Sequence, residues 1–195
     1  MNFCNKMWNA LRLIKGLEVV DAPASQEDAA INQLAYDWLI NKYHSLVTDL
    51  EKYYKEYRLS DAIMALYSFI WDDFCSWYLE MVKPEYGKPI DQKTKDQALD
   101  LYERLMTLLH PFMPFVTEEI WHGLKDRTSG DDCVISTYPK ASAFDDQLIK
   151  KVELAKDVVS KVREARNKNG LKAKELLKLF VEASDTAKDM YQTDG

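Results

Sequence analysis

Chemistry on a protein needs acids, bases, thiols or phosphate-cradling loops set within reach of one another, and this sequence offers few such settings. Its three cysteines, Cys4, Cys75 and Cys133, stand far apart, without the paired spacing that holds a metal or marks a redox pair. The three histidines are scattered too. His110 precedes Pro111 and reads as a helix-end residue bonded to backbone, where its charge suits the dipole. His44 and His122 fall on helix surfaces. Asp72–Asp73 and Glu118–Glu119 come nearest to paired acids, but adjacent residues on a helix do not face each other, so capping and solvation explain them better. There is no Gly-rich phosphate loop and no His-Glu-x-x-His pair. These residues predict no catalytic group, no metal and no cofactor. They point to a binding or structural module.

Charge narrows the partner. A net charge of −6 argues against an indiscriminate nucleic-acid binder. Residues 150–178 nevertheless hold ten Lys/Arg against four Asp/Glu, leaving sixteen against twenty-eight elsewhere. A local anionic partner and a solvated helix face both account for that basic stretch. At 195 residues, 47% apolar and 30% charged, the chain suits one sizeable domain, alone or with a fragment of another. It has no apolar run long enough for a membrane span. Lys6, Arg12 and Lys15 interrupt the apolar order that a secretion signal requires. Unpaired thiols suit a reducing compartment, so the cytoplasm is the expected location.

Hydrophobic spacing supplies the elements. Over 59–83, Leu59, Ile63, Leu66, Ile70, Phe74, Trp77 and Met81 recur at helical intervals, and Tyr67, Trp71 and Tyr78 widen that face. So broad an apolar surface predicts a central helix surrounded by others, capped by Ser60 and stopped by Pro84. A first helix over 2–17 turns Phe3, Met7, Leu11 and Ile14 inward and places Asn5, Asn9 and Arg12 on a common stripe. A long helix runs from a Ser25–Asp28 cap to about Tyr57, burying Ile31, Leu34, Ala35, Trp38, Leu39, Leu46, Leu50 and Tyr53. Residues 18–24 and 84–90 read as connections. Asp91 caps a helix that buries Ala98, Leu101, Tyr102, Leu105, Leu108 and Leu109 and breaks at His110–Pro111. A shorter helix starts near Pro114, with Phe112, Phe115 and Trp121 assigned to the core.

Beyond residue 126 the character changes. Residues 127–147 read as an irregular connection, 148–168 as a further helix, and LLKLFVEA at 176–183 as a β-strand. The expected fold is mainly α: an antiparallel helical bundle over 1–126, a connection over 127–147, and a small mixed α/β segment over 148–195. Its abrupt helical opening and unpartnered strand give the chain the look of a piece of a longer polypeptide.

Three stretches then become informative together. NFCNKMWNALR, DDFCSWYLEMVKP and LLHPFMPFVTEEIW resemble, in order and separation, the successive signatures of the anticodon-binding helical domain of class I valyl-tRNA synthetases. VREARNKNGLKAKELLKLFVEA resembles the region after that bundle, so the resemblance spans nearly the whole chain. The isoleucyl and leucyl enzymes share HPFMPF and EEIW more loosely. The family's HIGH and KMSKS motifs, nucleotide-binding sheet and editing domain do not occur in this sequence. The resemblance therefore implies a non-catalytic domain that holds the anticodon arm of tRNA(Val) while ATP-dependent aminoacylation proceeds on the enzyme's own catalytic domain. It implies a monomer with no cofactor in this stretch and no membrane. A helical scaffold that docks a partner protein or another domain is the alternative.

The resemblance also implies site residues. Anticodon bases are unpaired, and proteins read such bases by stacking aromatics on them and bonding their edges. Trp77 and Tyr78 offer aromatic faces; Asn5, Asn9 and Arg12 offer amide and guanidinium groups. In the related methionyl enzyme, a tryptophan aligned with Trp77 and polar residues of the matching first helix read the anticodon. Lys6, Lys15 and Lys83 are expected on phosphate, as is a basic face of Lys156, Arg163 and Arg166. Trp77 shares the apolar stripe of Phe74 and Met81, so core packing suits it equally. Asn5 and Asn9 suit a contact with the catalytic domain, and Arg12 suits an ion pair.

Overall fold

Asn2 starts the first helix by accepting the Cys4 N–H on Oδ1 at 3.0 Å, and α1 (Phe3–Gly16) follows. As the spacing predicts, Met7, Leu11 and Ile14 are buried, together with Ala10. Lys95 Nζ donates to the Leu17 carbonyl at 2.7 Å and so satisfies the helix's far end. Next comes a feature absent from the sequence reading. Val19–Val20 (β1) pairs in parallel with Ile90–Asp91 (β2), joining the two segments read as plain connections. A two-residue strand has no room for the alternation that reveals strands. The computed structural model describes residues 2–22 and 25–172; the strand expected at 176–183 lies outside them.

Ser25 caps α2 (Gln26–Lys55), accepting the Asp28 N–H at 3.0 Å and donating to the Asp28 carboxylate at 2.7 Å. The buried face of α2 begins at Ala35 and includes Trp38, Leu39, Tyr43, Val47 and Leu50; Ile31 and Leu34, expected in the core, precede it and are exposed. Tyr57, at φ 57°, turns the chain through the left-handed region. Arg58, not Ser60, takes the cap position of α3 (Leu59–Ser68), and its Nε bonds Asp61 at 2.9 Å.

The central helix is continuous but not uniform. From α3 it passes into a π-helical segment (Phe69–Tyr78) and then α4 (Leu79–Val82). Within the wider turn, Ser76 Oγ donates to the Trp71 carbonyl five residues back at 2.8 Å. Each i→i+5 turn holds more residues than an α-turn, so side chains beyond it change face. Uniform α-spacing sends Trp77 and Met81 inward. The structure instead buries Tyr78, Leu79 and Val82 and leaves Trp77 and Met81 half-buried. Phe74 stacks between Tyr78 at 5.7 Å and Tyr102 at 5.0 Å.

Asp91 caps α5 (Gln92–Leu109), its carboxylate accepting both the Thr94 N–H at 2.9 Å and the Thr94 hydroxyl at 2.7 Å. Tyr102 ties α5 to α1 through a 2.7 Å bond from its hydroxyl to the Met7 carbonyl. Pro114 opens α6 (Pro114–Leu124), which buries Thr117, Ile120, Trp121 and Leu124. Phe115 is 88% exposed, against the core assignment, because it lies about half a turn from that buried stripe. His110 bonds the Thr117 hydroxyl at 2.8 Å rather than backbone.

The stretch after α6 is fastened down, not loose. Arg127 lies over the Trp121 ring at 3.7 Å, donates to the Trp121 carbonyl at 2.8 Å and pairs with Asp131 at 3.0 Å. A 3₁₀ turn, Cys133–Ile135, follows, and Tyr138 bonds the Tyr54 hydroxyl of α2 at 3.2 Å. The chain accordingly divides into compact units Met1–Phe144 and Asp145–Gly195. In the second unit Asp145 caps α7 (Asp146–Lys168), which starts two residues before the predicted 148. No described helix is long and apolar enough to cross a membrane.

One group makes the fold sensitive to acid. The Nδ1 atom of His44 is buried without a hydrogen-bond partner. Burial, and secondarily the charge of Arg104, lower its pKa from the ordinary 6.5. The unfolded chain then binds this proton more readily, so stability is intact above pH 6.5 and falls as the pH drops through the lower folded value. Urea denaturation between about pH 7.5 and 5 is expected to show that decline, with a shallower slope in His44→Gln.

Candidate functional site

Of the candidate residues, Lys6 is the one whose contacts join α1 to the π-helical segment. On α1, Asn5, Asn9 and Arg12 are all exposed, on the stripe opposite Met7, Leu11 and Ile14. Lys6, next to Asn5, crosses to the other helix: its Nζ stands 3.4 Å from Ser76 Oγ and 5.1 Å above the Trp71 ring. That contact belongs to the energetic class of cation–π pairs worth about 0.5–1 kcal/mol at exposed sites. It places an ammonium on the Trp71 face and beside Ser76, the residue before Trp77.

An aromatic ledge that sequence reasoning missed adjoins this junction. The Phe3 ring lies 4.7 Å from Tyr67 and 6.4 Å from Trp71, and Tyr67 stacks on Trp71 at 5.6 Å with planes 13° apart. Tyr67 is exposed, and Phe3 and Trp71 are half-buried. Tyr67 and Trp71 stand four apart, a spacing that stacks side chains on one helix, but in the sequence they read only as widening the core face. Phe3 and Lys6 join them through the packing of a different helix.

The structure separates Trp77 from Tyr78. Trp77 is half-buried. Tyr78 has no exposed surface and stacks on Phe74 in the core. The expectation of an anticodon contact at Tyr78 is therefore corrected: it is a packing residue.

The expected phosphate contacts are mostly committed elsewhere. Lys15 Nζ donates to the Gly123 carbonyl at 2.7 Å, closing the last turn of α6, and keeps two further N–H donors. Lys83 stands 3.5 Å from Glu80, an exposed pair of small worth. Lys156 pairs with Glu153 at 3.0 Å, Arg166 donates to the Lys172 carbonyl at 2.8 Å, and Arg163 is exposed. These last three belong to the Asp145–Gly195 unit, whereas the other candidates belong to Met1–Phe144.

Thiol chemistry is suppressed. Burial pushes the Cys75 thiol up to about 12, and burial followed by the Glu118 charge pushes Cys133 up to about 11, so both stay protonated at neutral pH. What the α1–π junction offers is stacking surface, base-edge donors and acceptors, and a few cations.

The sequence model of the family described as "Anticodon-binding domain of tRNA ligase" matches residues 37–181, a stretch that holds the π-helical segment and begins after α1. The valine–tRNA ligase of Christiangramia forsetii is 41% identical over 172 residues, 88% of this chain and 19% of that protein. That of Porphyromonas gingivalis is 39% identical over 178 residues, 91% of this chain and 20% of the other. The Thermosynechococcus vestitus enzyme is 34% identical over 194 residues, 94% of this chain and 21% of its own length. The chain thus spans about a fifth of the length of the curated relatives it matches.

Proposed function

The chain belongs to the anticodon-binding domain family of tRNA ligases, and from that membership we propose that its helical bundle grips the anticodon arm of tRNA(Val). The observation that carries this reading is the α1–π junction, where Lys6 of α1 reaches the Tyr67–Trp71 ledge and Ser76, beside the half-buried Trp77, while Asn5, Asn9 and Arg12 are exposed on α1. In the proposed complex, Trp77 and the Tyr67–Trp71 ledge stack on unpaired bases. Asn5, Asn9 and Arg12 bond base edges, since amides donate and accept while guanidinium donates in a fixed fork. Lys6, Lys15 and Lys83 lie along the backbone. The domain forms no bond itself: it holds one end of the tRNA so that the other reaches a catalytic domain of the same enzyme, where ATP drives aminoacylation. A monomeric, cytoplasmic valine–tRNA ligase is the whole protein this implies.

Filter binding of the chain to tRNA(Val) at two salt concentrations tests the reading. Three lysines on a single-stranded backbone give an expected slope of about −2 in log affinity against log salt. Anticodon substitution is expected to weaken binding at both salts. Affinity indifferent to the anticodon throughout would leave charge attraction alone and overturn the proposal.

A further inference from the structure

The α6 helix and the turn after it carry a cluster outside the residues proposed to meet tRNA. We propose that Glu118, His122 and Asp132 form a site for a divalent transition-metal ion of the zinc type. Glu118 and His122, four residues apart on α6, share one face, and the turn that follows the helix brings Asp132 to them. His122 Nε2 stands 3.3 Å from Glu118 Oε1 and 3.1 Å from Asp132 Oδ1. One ligand atom from each of the three lies within 4.8 Å of the others. Ligand atoms bonded to zinc at about 2.0–2.2 Å in a tetrahedron stand about 3.3–3.6 Å apart. Two edges of the triangle therefore already approach that length, and a small side-chain rotation closes the third.

Donor chemistry selects the ion. One imidazole with two carboxylates is a mixed N/O set suited to zinc-like dications, whereas magnesium and calcium take oxygens. Two carboxylates balance a dication, and the fourth tetrahedral position stays open to water. When Nε2 takes the ion, the ring's single N–H sits on Nδ1, so a neutral imidazole changes tautomer and the proton count is unchanged.

Groups that are not ligands hold the ligands in place. Glu118 accepts the Cys133 N–H on Oε1 at 2.7 Å and the Val134 N–H on Oε2 at 3.2 Å. A carboxylate offers about four lone-pair positions, so Oε1 retains one for a metal. Trp121 Nε1 donates to the Asp131 carbonyl at 3.0 Å, and Arg127 bonds the Asp131 carboxylate at 3.0 Å, which fixes the turn presenting Asp132. Such outer partners orient ligands and raise affinity. His122 and Asp132 are 45% and 42% exposed, giving an ion its entry path. His110 stays outside the set, 3.9 Å from Glu118 and bonded to Thr117.

Zinc titration of the untagged chain by calorimetry, with cobalt(II) absorption as the optical probe, tests the site. Saturation at one ion per chain is expected, with a ligand-field band from cobalt. His122→Ala and Asp132→Asn are each expected to weaken binding by at least about tenfold, while metal-free melting temperatures change little because exposed ion pairs contribute little to stability. Absence of saturable binding in the micromolar range would overturn the proposal. So would undiminished binding by His122→Ala, which would put the ion on other residues.

Discussion

Replacing Tyr78 with alanine is expected to destabilise the Met1–Phe144 unit by about 3–5 kcal/mol, the usual cost of emptying a buried aromatic site. The ring has no exposed surface and stacks on Phe74, which in turn stacks on Tyr102 of α5. Its loss therefore opens a cavity where the central helix meets α5. The hydroxyl is buried without a hydrogen-bond partner, and burial raises its pKa, so Tyr78→Phe removes an unsatisfied group. That variant is expected to be neutral or more stable and to bind RNA as the parent does. Urea denaturation and filter binding on the two variants check both statements. A selective loss of RNA affinity in Tyr78→Phe would show that the hydroxyl faces the ligand and that the register is different.

The neighbouring residue is expected to behave oppositely. On the proposed reading, Trp77→Ala costs about 1–3 kcal/mol of binding, the worth of stacking one base. That is a roughly 5- to 150-fold loss of affinity for the anticodon arm. Its stability cost is expected to be below that of Tyr78→Ala, since Trp77 is half-buried whereas Tyr78 has no exposed surface. Trp71→Ala is the companion variant, for it removes both the partner of Tyr67 and the ring beneath the Lys6 ammonium. Competition binding with an anticodon stem-loop separates these losses from nonspecific charge effects, which the variants leave untouched. A Trp77→Ala chain that unfolds, or that binds undiminished, would return Trp77 to the core.

The contrast between two adjacent aromatics shows where sequence reading reached its end. Caps at Ser25 and Asp91, the proline start of α6 and the inward face of α1 follow from side chains acting on nearby backbone, and all stand in the structure. Residue types alone do not mark a π turn. A period of 3.6 imposed on 59–83 therefore rotates everything past Ser76 by about one residue. Tyr78 then lies fully in the core and Trp77 is half-buried, although the sequence places both on the apolar face and among the candidates. Phe115 is a different case: its position relative to Ile120, Trp121 and Leu124 already placed it outside the buried stripe. Treating its stripe as a continuation of the apolar layer of α5 sent it to the core. The aromatic ledge, the β1–β2 bridge and the third ligand of the α6 cluster each join residues distant in sequence. Local spacing shows one half of such a contact at most: Tyr67 with Trp71, or Glu118 with His122.

The central claim is that the α1–π junction receives anticodon bases. The chain contains five tryptophans, each with one indole N–H, and NMR resolves their response to a tRNA(Val) anticodon stem-loop. Trp77 and Trp71 are expected to shift on binding, and to shift less with an altered anticodon, while the buried Trp38 and Trp121 stay in place. Saturable binding that leaves Trp77 and Trp71 unmoved would contradict the account.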